Sequence, residues 1–436
     1  MIKIALSTLG CPKNLVDSEN MMVHLMNDGF VVTDEVDEAD VLILNTCGFI
    51  GDAKEESVNL ILEYVEAKKH KNFVLVVVGC LVQRYRDELK NQIPDVDIWL
   101  GVEDIRSLNC ELKKFFSEKK LTDSICHLKP WELKLTPSNY IYLKVADGCN
   151  NRCSFCVIPY IRGSYKSRSI GDIIEDAKLA SCAGVRELLL VAQDVSGYGF
   201  DLKPPSSLLD LLSELEKIDE ISWIRLMYMY PDKITDQLID FIADSNKVCK
   251  YIDIPFQHIS TKILKSMRRK ETRESIYTLV SKLRSKIEGL FIRTSLIVGY
   301  PGETESDFEE LLSAVEELKF ERLGVFIYSD EEGTPAFDMI DKVPDKIAKQ
   351  RYHKIMSLQK KNAKKIHQSL IEKDISVMID SLEDKNTIIG RTEWDAPEID
   401  GVVRVFCDDL NSCSVGDIVR VRVKKSYDYD LEGVLV

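Results

Sequence analysis

The sequence predicts an α/β protein in three parts: an N-terminal doubly wound parallel sheet, a central partial (β/α)6 TIM-like barrel, and a small C-terminal antiparallel β-barrel. Three observations predict it. Over the first hundred residues, almost uncharged β-branched and leucine-rich runs alternate with helical periodicity. From Tyr140 a second strand and helix alternation extends over about 200 residues. Beyond residue 370 the pattern changes to short alternating strands separated by turn residues.

In the first part, strands are expected at residues 3–6, 41–44 and 74–78, and helices at 17–27 and 53–68. Each strand runs into a cysteine: Cys11, Cys47 and Cys80. In a doubly wound sheet the carboxyl ends of parallel strands share one edge, where ligands bind. Three cysteines delivered to that edge can converge on one iron–sulfur cluster. Buried cysteine is also an ordinary small hydrophobe, but here it recurs at three equivalent positions. Residues 100–138 read as a connecting stretch with a charged helix at 106–119, and Pro130 and Pro137 as breakers.

In the central part, strands are expected at 141–145, 187–191, 224–229, 251–254, 291–298 and 324–328. Helices are expected at 171–183, 207–218, 235–245, 261–287 and 305–318, with a long basic helix at 344–371 leading out. The first strand ends in a loop carrying Cys149, Cys153 and Cys156, a C-x3-C-x2-C spacing. Three thiolates within eight residues can wrap three corners of a four-iron cube and leave one iron open. Zinc would call for C-x2-C pairs with a fourth ligand, and no second pair occurs. The loop falls at the carboxyl-end face, where barrel active sites sit. In the last part, strands are expected at 374–379, 401–406 and 418–423. The parts divide as 1–120, 135–368 and 371–436.

Composition narrows the class. A chain of 436 residues, 45% hydrophobic and 30% charged, is long enough for several packed cores. Apolar runs are strand-sized, and the start of the chain is interrupted by Lys3, so neither a membrane span nor a leader is expected. Twelve scattered cysteines without a leader point to thiol or metal chemistry in a cytoplasmic protein. The balance of 58 Lys and Arg against 72 Asp and Glu leaves a net charge of −14. Residues 371–436 carry eight of those cations and fifteen of those anions, a net of −7. A surface that grips phosphates is usually basic, so this balance favours a basic protein partner.

With these residues in place, the chain resembles a methylthiotransferase of the radical S-adenosylmethionine superfamily, along essentially its whole length. The resemblance rests on Ser7-Thr-Leu-Gly-Cys-Pro-Lys-Asn14, Tyr251-Ile-Asp-Ile-Pro-Phe-Gln-His258, Thr294-Ser-Leu-Ile-Val-Gly-Tyr-Pro-Gly-Glu303 and Gly390-Arg-Thr-Glu-Trp-Asp-Ala-Pro-Glu-Ile-Asp-Gly401. It implies a methylthiotransferase N-terminal domain, a radical SAM core and a C-terminal TRAM domain. The last segment is similar to the branch that methylthiolates an aspartate of small-subunit ribosomal protein S-twelve (uS12). Relatives acting on transfer-RNA adenosine generally lack it and form the rival reading. A non-catalytic iron–sulfur carrier bound to ribosomes is the rival of another class.

The resemblance implies two 4Fe-4S clusters, on Cys149, Cys153 and Cys156 and on Cys11, Cys47 and Cys80, with S-adenosylmethionine as radical source and methyl donor. It also implies an electron donor of the flavodoxin or ferredoxin kind and a sulfur donor of unassigned identity. Phe155 is expected over the adenine end of the cofactor, and Glu187 on the methionine amino group. Gln193 and Asp194 are expected at the active face, and Gly299 where backbone approaches the cofactor. Arg162 and Arg168 are candidate carboxylate binders, and His258 is expected as a structural donor.

Overall fold

The computed structural model describes residues 1–116, 135–384, 386–407 and 413–436. In the first part, β1 (Lys3–Thr8) leads to α1 (Pro12–Asn27), β2 (Val31–Val32), β3 (Val41–Thr46) and α2 (Gly51–Lys68). Then follow β4 (Val74–Gly79), α3 (Cys80–Gln92), β5 (Ile98–Leu100) and α4 (Leu108–Lys113). The strands form one parallel sheet in the order β2-β1-β3-β4-β5. Met21, Met22, Leu25, Leu108 and Leu112 cover one face, and Ile61, Leu81, Val82 and Leu89 the other. All six residues of β3 are buried, which is why its sequence is uninterrupted by charge.

Two expectations are corrected here. The sheet has five strands rather than three, because β2 and β5 are too short to carry a pattern of their own. Helix α1 starts at Pro12, not at residue 17: proline suits a first helical position, so Cys11 becomes its N-cap. Of the charged helix expected at 106–119, the described residues contain α4 alone, and the remainder beyond residue 116 lies outside them.

The central part opens with β6 (Tyr140–Lys144), the short hairpin of β7 (Ala146–Asp147) and β8 (Lys166–Ser167), and α5 (Ile158–Arg162) between them. It continues through α6 (Ile170–Cys182), β9 (Glu187–Val191), α7 (Leu208–Leu215), β10 (Trp223–Leu226), α8 (Asp236–Asp244) and β11 (Val248–Asp253). Next come α9 (Thr261–Ser266), α10 (Arg273–Lys286), β12 (Phe291–Val298), α11 (Glu305–Leu318), β13 (Arg322–Ile327) and the long α12 (Asp345–Gln368). Six parallel strands, in the order β13-β12-β11-β10-β9-β6, make an open barrel. The single helix expected at 261–287 is two helices. Arg268 takes a left-handed φ of 58°, and Thr272 begins α10 with a capping box to Ser275.

The barrel is filled by Tyr142, Leu189, Met227, Tyr251 and Phe291, which pack with Met378 and Ala396 of the last part. Its open side is closed by α1, which lies against β6. The last part is a closed barrel of β14 (Asp374–Asp384), β15 (Thr387–Thr392), β16 (Val403–Phe406), β17 (Ile418–Ser426) and β18 (Leu431–Leu435). Two of these strands, β15 and β18, are additional to the three expected, and the β16–β18 pairing is parallel, not antiparallel. Among the described residues no helix is long and apolar enough to cross a membrane.

The segment linking β15 to β16 plugs the amino-terminal end of the central barrel. Trp394 stacks on Phe291 at 4.6 Å, Asp400 accepts from the Tyr251 hydroxyl at 2.8 Å, and Asp395 pairs with Arg322. Glu187 is wholly buried between Arg225 (2.7 Å) and Arg391 (2.8 Å).

Candidate active site

Two cysteine triads meet at the carboxyl ends of the two parallel sheets. In the first, Cys47 and Cys80 follow β3 and β4 directly, and Cys11 follows β1 after Leu9 and Gly10. Glycine is what lets these turns converge. Gly10 has a φ of 96°, and a side chain there would sit 2.8 Å from the Cys47 Cβ. Gly79 has a φ of 104°, and its added Cβ would lie 2.4 Å from the Asn45 Oδ1. Asn14 ties the turns together. Its side-chain amide donates to the carbonyls of Leu9 (2.9 Å) and Thr46 (3.2 Å), and its own carbonyl accepts from Asn45 (2.9 Å). Its Oδ1 faces the Cys80 sulfur at 3.6 Å.

The second triad sits in the loop after β7. Gly148 has a left-handed φ of 76° there, and an added Cβ would strike the Ser164 carbonyl at 2.3 Å, so the position admits only glycine. Ser154 anchors the loop across the barrel mouth: its hydroxyl meets the Ser266 carbonyl at 2.9 Å and the Tyr300 hydroxyl at 2.8 Å, and its carbonyl accepts from the Ala336 N–H at 2.9 Å. Tyr230 and Arg269 lie close enough to the Cys153 thiol to oppose the effect of its burial.

Burial pushes the Cys80 thiol up to about 11, with Arg162 pulling the other way, and it raises Cys47, Cys149, Cys153 and Cys156 as well. Each triad is close enough for its members to act electrostatically on one another. Such thiols keep their protons until a metal displaces them. Among the described residues no three His, Cys, Asp or Glu groups close on a single ion. A cube takes one thiolate per iron, so its sulfurs stand further apart than the ligands of one metal. The donor set fits a cluster of that kind at both triads.

Between the triads runs a polar bridge. The buried Arg162 contacts Asp17 (2.8 Å), Asp147 (3.1 Å), the Asn14 Oδ1 (2.7 Å) and the Cys80 sulfur (3.6 Å). Lys144 joins Asp17 (2.5 Å) to Asp147 (3.0 Å). These cations draw the Asp147 carboxyl down to about 2 against the opposing effect of its burial. Lys13, also buried, holds its ammonium 3.6 Å from the centre of the Tyr228 ring.

The other anticipated residues divide. Gln193 donates to Asp147 at 3.0 Å, while its Oε1 is buried with no partner among the described residues, so one acceptor stands free of them in the site. Phe155 packs at the barrel mouth with Ile263, Ile297 and Tyr300. Asp194 is saturated by Asn151 (2.7 Å), Lys233 (2.5 Å) and Ser196 (2.6 Å). Glu187 is a correction: it starts β9, at the end of the barrel opposite the cysteines, and both its oxygens are held by arginines. Gly299 is another. The close approach it permits is to α12, where an added Cβ would meet Ala348 at 2.6 Å. Arg168 turns to the outer surface and Asp176 (2.5 Å). His258 is fully buried and accepts from the Ser260 N–H at 3.0 Å, a structural place. Sequence reasoning passed over Lys13, Asn14, Asp147, Tyr228, Tyr230 and Arg269. Lys13 and Asn14 adjoin Cys11, and Asp147 adjoins the loop, so closeness to a ligand was the available signal.

Residues 143–315 match the Radical SAM superfamily, whose chemistry rests on a 4Fe-4S cluster and S-adenosylmethionine. Residues 371–436 match the TRAM domain, and residues 3–101 match the Uncharacterized protein family UPF0004. The chain is 44% identical to the ribosomal protein uS12 methylthiotransferase RimO of Geotalea uraniireducens, over 100% of this chain and 98% of that protein. It is also 44% identical to the protein of the same name from Clostridium novyi, over 99% and 98%. Among solved structures it is similar in fold to the radical S-adenosylmethionine methyltransferase TsrM of Kitasatospora setae, with a TM-score of 0.56, 12% identity and 77% of each chain covered. On these relatives the chain belongs to the ribosomal protein uS12 methylthiotransferase family, within the radical S-adenosylmethionine superfamily.

Proposed function

We propose that this chain adds a methylthio group to the β-carbon of an aspartate in ribosomal protein uS12, using two 4Fe-4S clusters. The observation that carries the reading is the pair of three-cysteine sites facing one polar bridge. A β-carbon C–H bond is too inert for acid–base removal; a cluster held by Cys149, Cys153 and Cys156 would supply radical chemistry with S-adenosylmethionine, and one held by Cys11, Cys47 and Cys80 would supply the sulfur-transfer chemistry.

The chain's own residues bind and orient. Cys149, Cys153 and Cys156 hold one cluster, and Cys11, Cys47 and Cys80 the other. Gln193 offers its free Oε1 to a donor on the cofactor, and Phe155 offers a flat apolar wall. Arg162 and Lys144 pair with both Asp147 and Asp17, which locks the two halves of the site in one geometry, and their charges keep Asp147 ionised. The TRAM barrel supports a protein substrate over RNA. Its Arg404, Arg422, Lys424 and Lys425 are each matched by Glu383, Asp374, Glu372 and Glu432, so those cations are already committed. Catalysis in the cytoplasm, with a flavodoxin or ferredoxin as reductant, completes the reading.

The test is anaerobic reconstitution, reduction, and incubation with S-adenosylmethionine and a peptide spanning the uS12 aspartate. The expected result is about eight irons per chain and a methylthio adduct on aspartate by mass spectrometry. About four irons, a product mass without sulfur, or modification of transfer-RNA adenosine instead would overturn it.

A further inference from the structure

A buried lysine side chain is stabilised by an anion paired with its ammonium, and among the described residues one site lysine has no carboxylate paired with it. Lys13 is only 8% exposed. Its ammonium lies over the Tyr228 ring at 3.6 Å, and this contact recovers only part of what the lost hydration takes. The neighbouring carboxylates are committed elsewhere. Asp17 and Asp147 serve Lys144 and Arg162, and Asp253 serves Arg293 (3.0 Å) and the Tyr228 N–H (3.0 Å). Among the described residues no carboxylate pairs with Lys13.

Its position says which anion is missing. Lys13 stands two residues past Cys11, while Tyr228 leaves β10 at the carboxyl mouth of the barrel in a left-handed conformation, with a φ of 55°. A bulky residue held there is strained, and Tyr228 is kept in place by Asp253. Lys13 therefore spans from the first cysteine triad to the barrel mouth, the space that a reacting side chain has to enter. In aspartate the carboxylate is bonded directly to the β-carbon. A cation that fixes the carboxylate also fixes the carbon to be modified. Arg162, the other buried cation nearby, is already saturated.

We infer that Lys13 is the specificity-determining residue that binds the carboxylate of the target aspartate and so selects it over its neutral isostere, asparagine. This inference rests on the reading that the substrate is a uS12 aspartate. The rival role is compensation of charge on the cluster held by Cys11, Cys47 and Cys80.

The test measures fluorescence anisotropy of two labelled peptides, identical but for Asp or Asn at the target, on the anaerobically reconstituted full chain. The wild-type chain is expected to prefer the Asp peptide at least tenfold, about what a charged site gains over a neutral isostere. Lys13→Met is expected to bring the ratio close to one, with iron and sulfide content unchanged. Lys13→Gln carries the same expectation should the methionine variant not fold. A preference that survives both substitutions overturns the inference, as does a loss of preference accompanied by loss of about half the iron, which assigns Lys13 to the cluster. A wild-type chain that methylthiolates the Asp peptide yet binds both peptides alike overturns only the role of Lys13. One that methylthiolates neither overturns the function.

Discussion

Glycines at the turns decide whether three cysteines can meet. At Gly79 a φ of 104° and an added Cβ 2.4 Å from the Asn45 side chain mean that alanine must shift the turn preceding Cys80. Backbone strain of this kind costs about 1–3 kcal/mol. Gly79→Ala is expected to lose about half of the reconstituted iron and to lower the thermal midpoint, while the Cys149 loop keeps its own share. Iron analysis beside a Cys80→Ala control checks it, and full iron content would show that the turn has room to spare. Cys80 itself is held neutral chiefly by burial, with Arg162 opposing, so the residue that reaches it from the barrel belongs to the ligand's own surroundings.

At the scale of elements, the strands of the central barrel carry different work at their two ends. Carboxyl ends present the cysteine loop, Gln193, Tyr228 and Tyr230. Amino ends present a buried ionic lattice of Glu187, Arg225 and Arg322, closed by Asp380, Arg391 and Asp395 from the TRAM domain. Removing one member leaves its partners buried and unmatched, a loss of about 3–5 kcal/mol. Glu187→Gln is therefore expected to lower the unfolding midpoint strongly while leaving the affinity for S-adenosylmethionine unchanged. Calorimetry of unfolding and of ligand binding separates these, and a weakened S-adenosylmethionine affinity in a stably folded variant would return Glu187 to the cofactor. The segment 390–401, which distinguishes the uS12 branch by resemblance, sits in this lattice. Its Asp395 and Asp400 are buried against arginines, so they add nothing to the anionic exterior expected from composition.

At the scale of the whole molecule, the three parts act as lid, barrel and floor. Helix α1 closes the open side, and α12 carries the chain to the floor. His367, near the end of α12, is fully buried, with its Nε2 2.9 Å from the Arg322 guanidinium. Burial, and then the Arg322 charge, lowers its value from 6.5 to about 4, while Asp395 and Asp430 oppose the shift. The unfolded chain takes this proton first as pH falls. Stability from this residue is thus complete above about pH 6.5 and declines toward pH 4, by about 3 kcal/mol in all. Thermal midpoints measured across that window are expected to fall more steeply for the wild-type chain than for His367→Gln. Parallel slopes would mean that His367 is not what titrates.

Sequence alone determined the local chemistry. Three almost uncharged strands each leading to a cysteine, and a C-x3-C-x2-C loop at a barrel mouth, need no distant partner to be legible, because ligand spacing within a turn is a local constraint. The main strands were legible because burial on both faces removes charge from them. Only tertiary structure decided the rest. Strands as short as β2 and β5 have no pattern apart from their neighbours. Glu187 looks like any strand-end carboxylate until Arg391, 204 residues later, closes on it. Gly299 reads as a ligand-binding turn until α12 arrives above it. Lys13 carries no signal of its own beside Cys11 until the barrel covers it with Tyr228 and, among the described residues, leaves it without a paired carboxylate. A charge's role depends on what surrounds it, and folding brings those surroundings from remote parts of the chain.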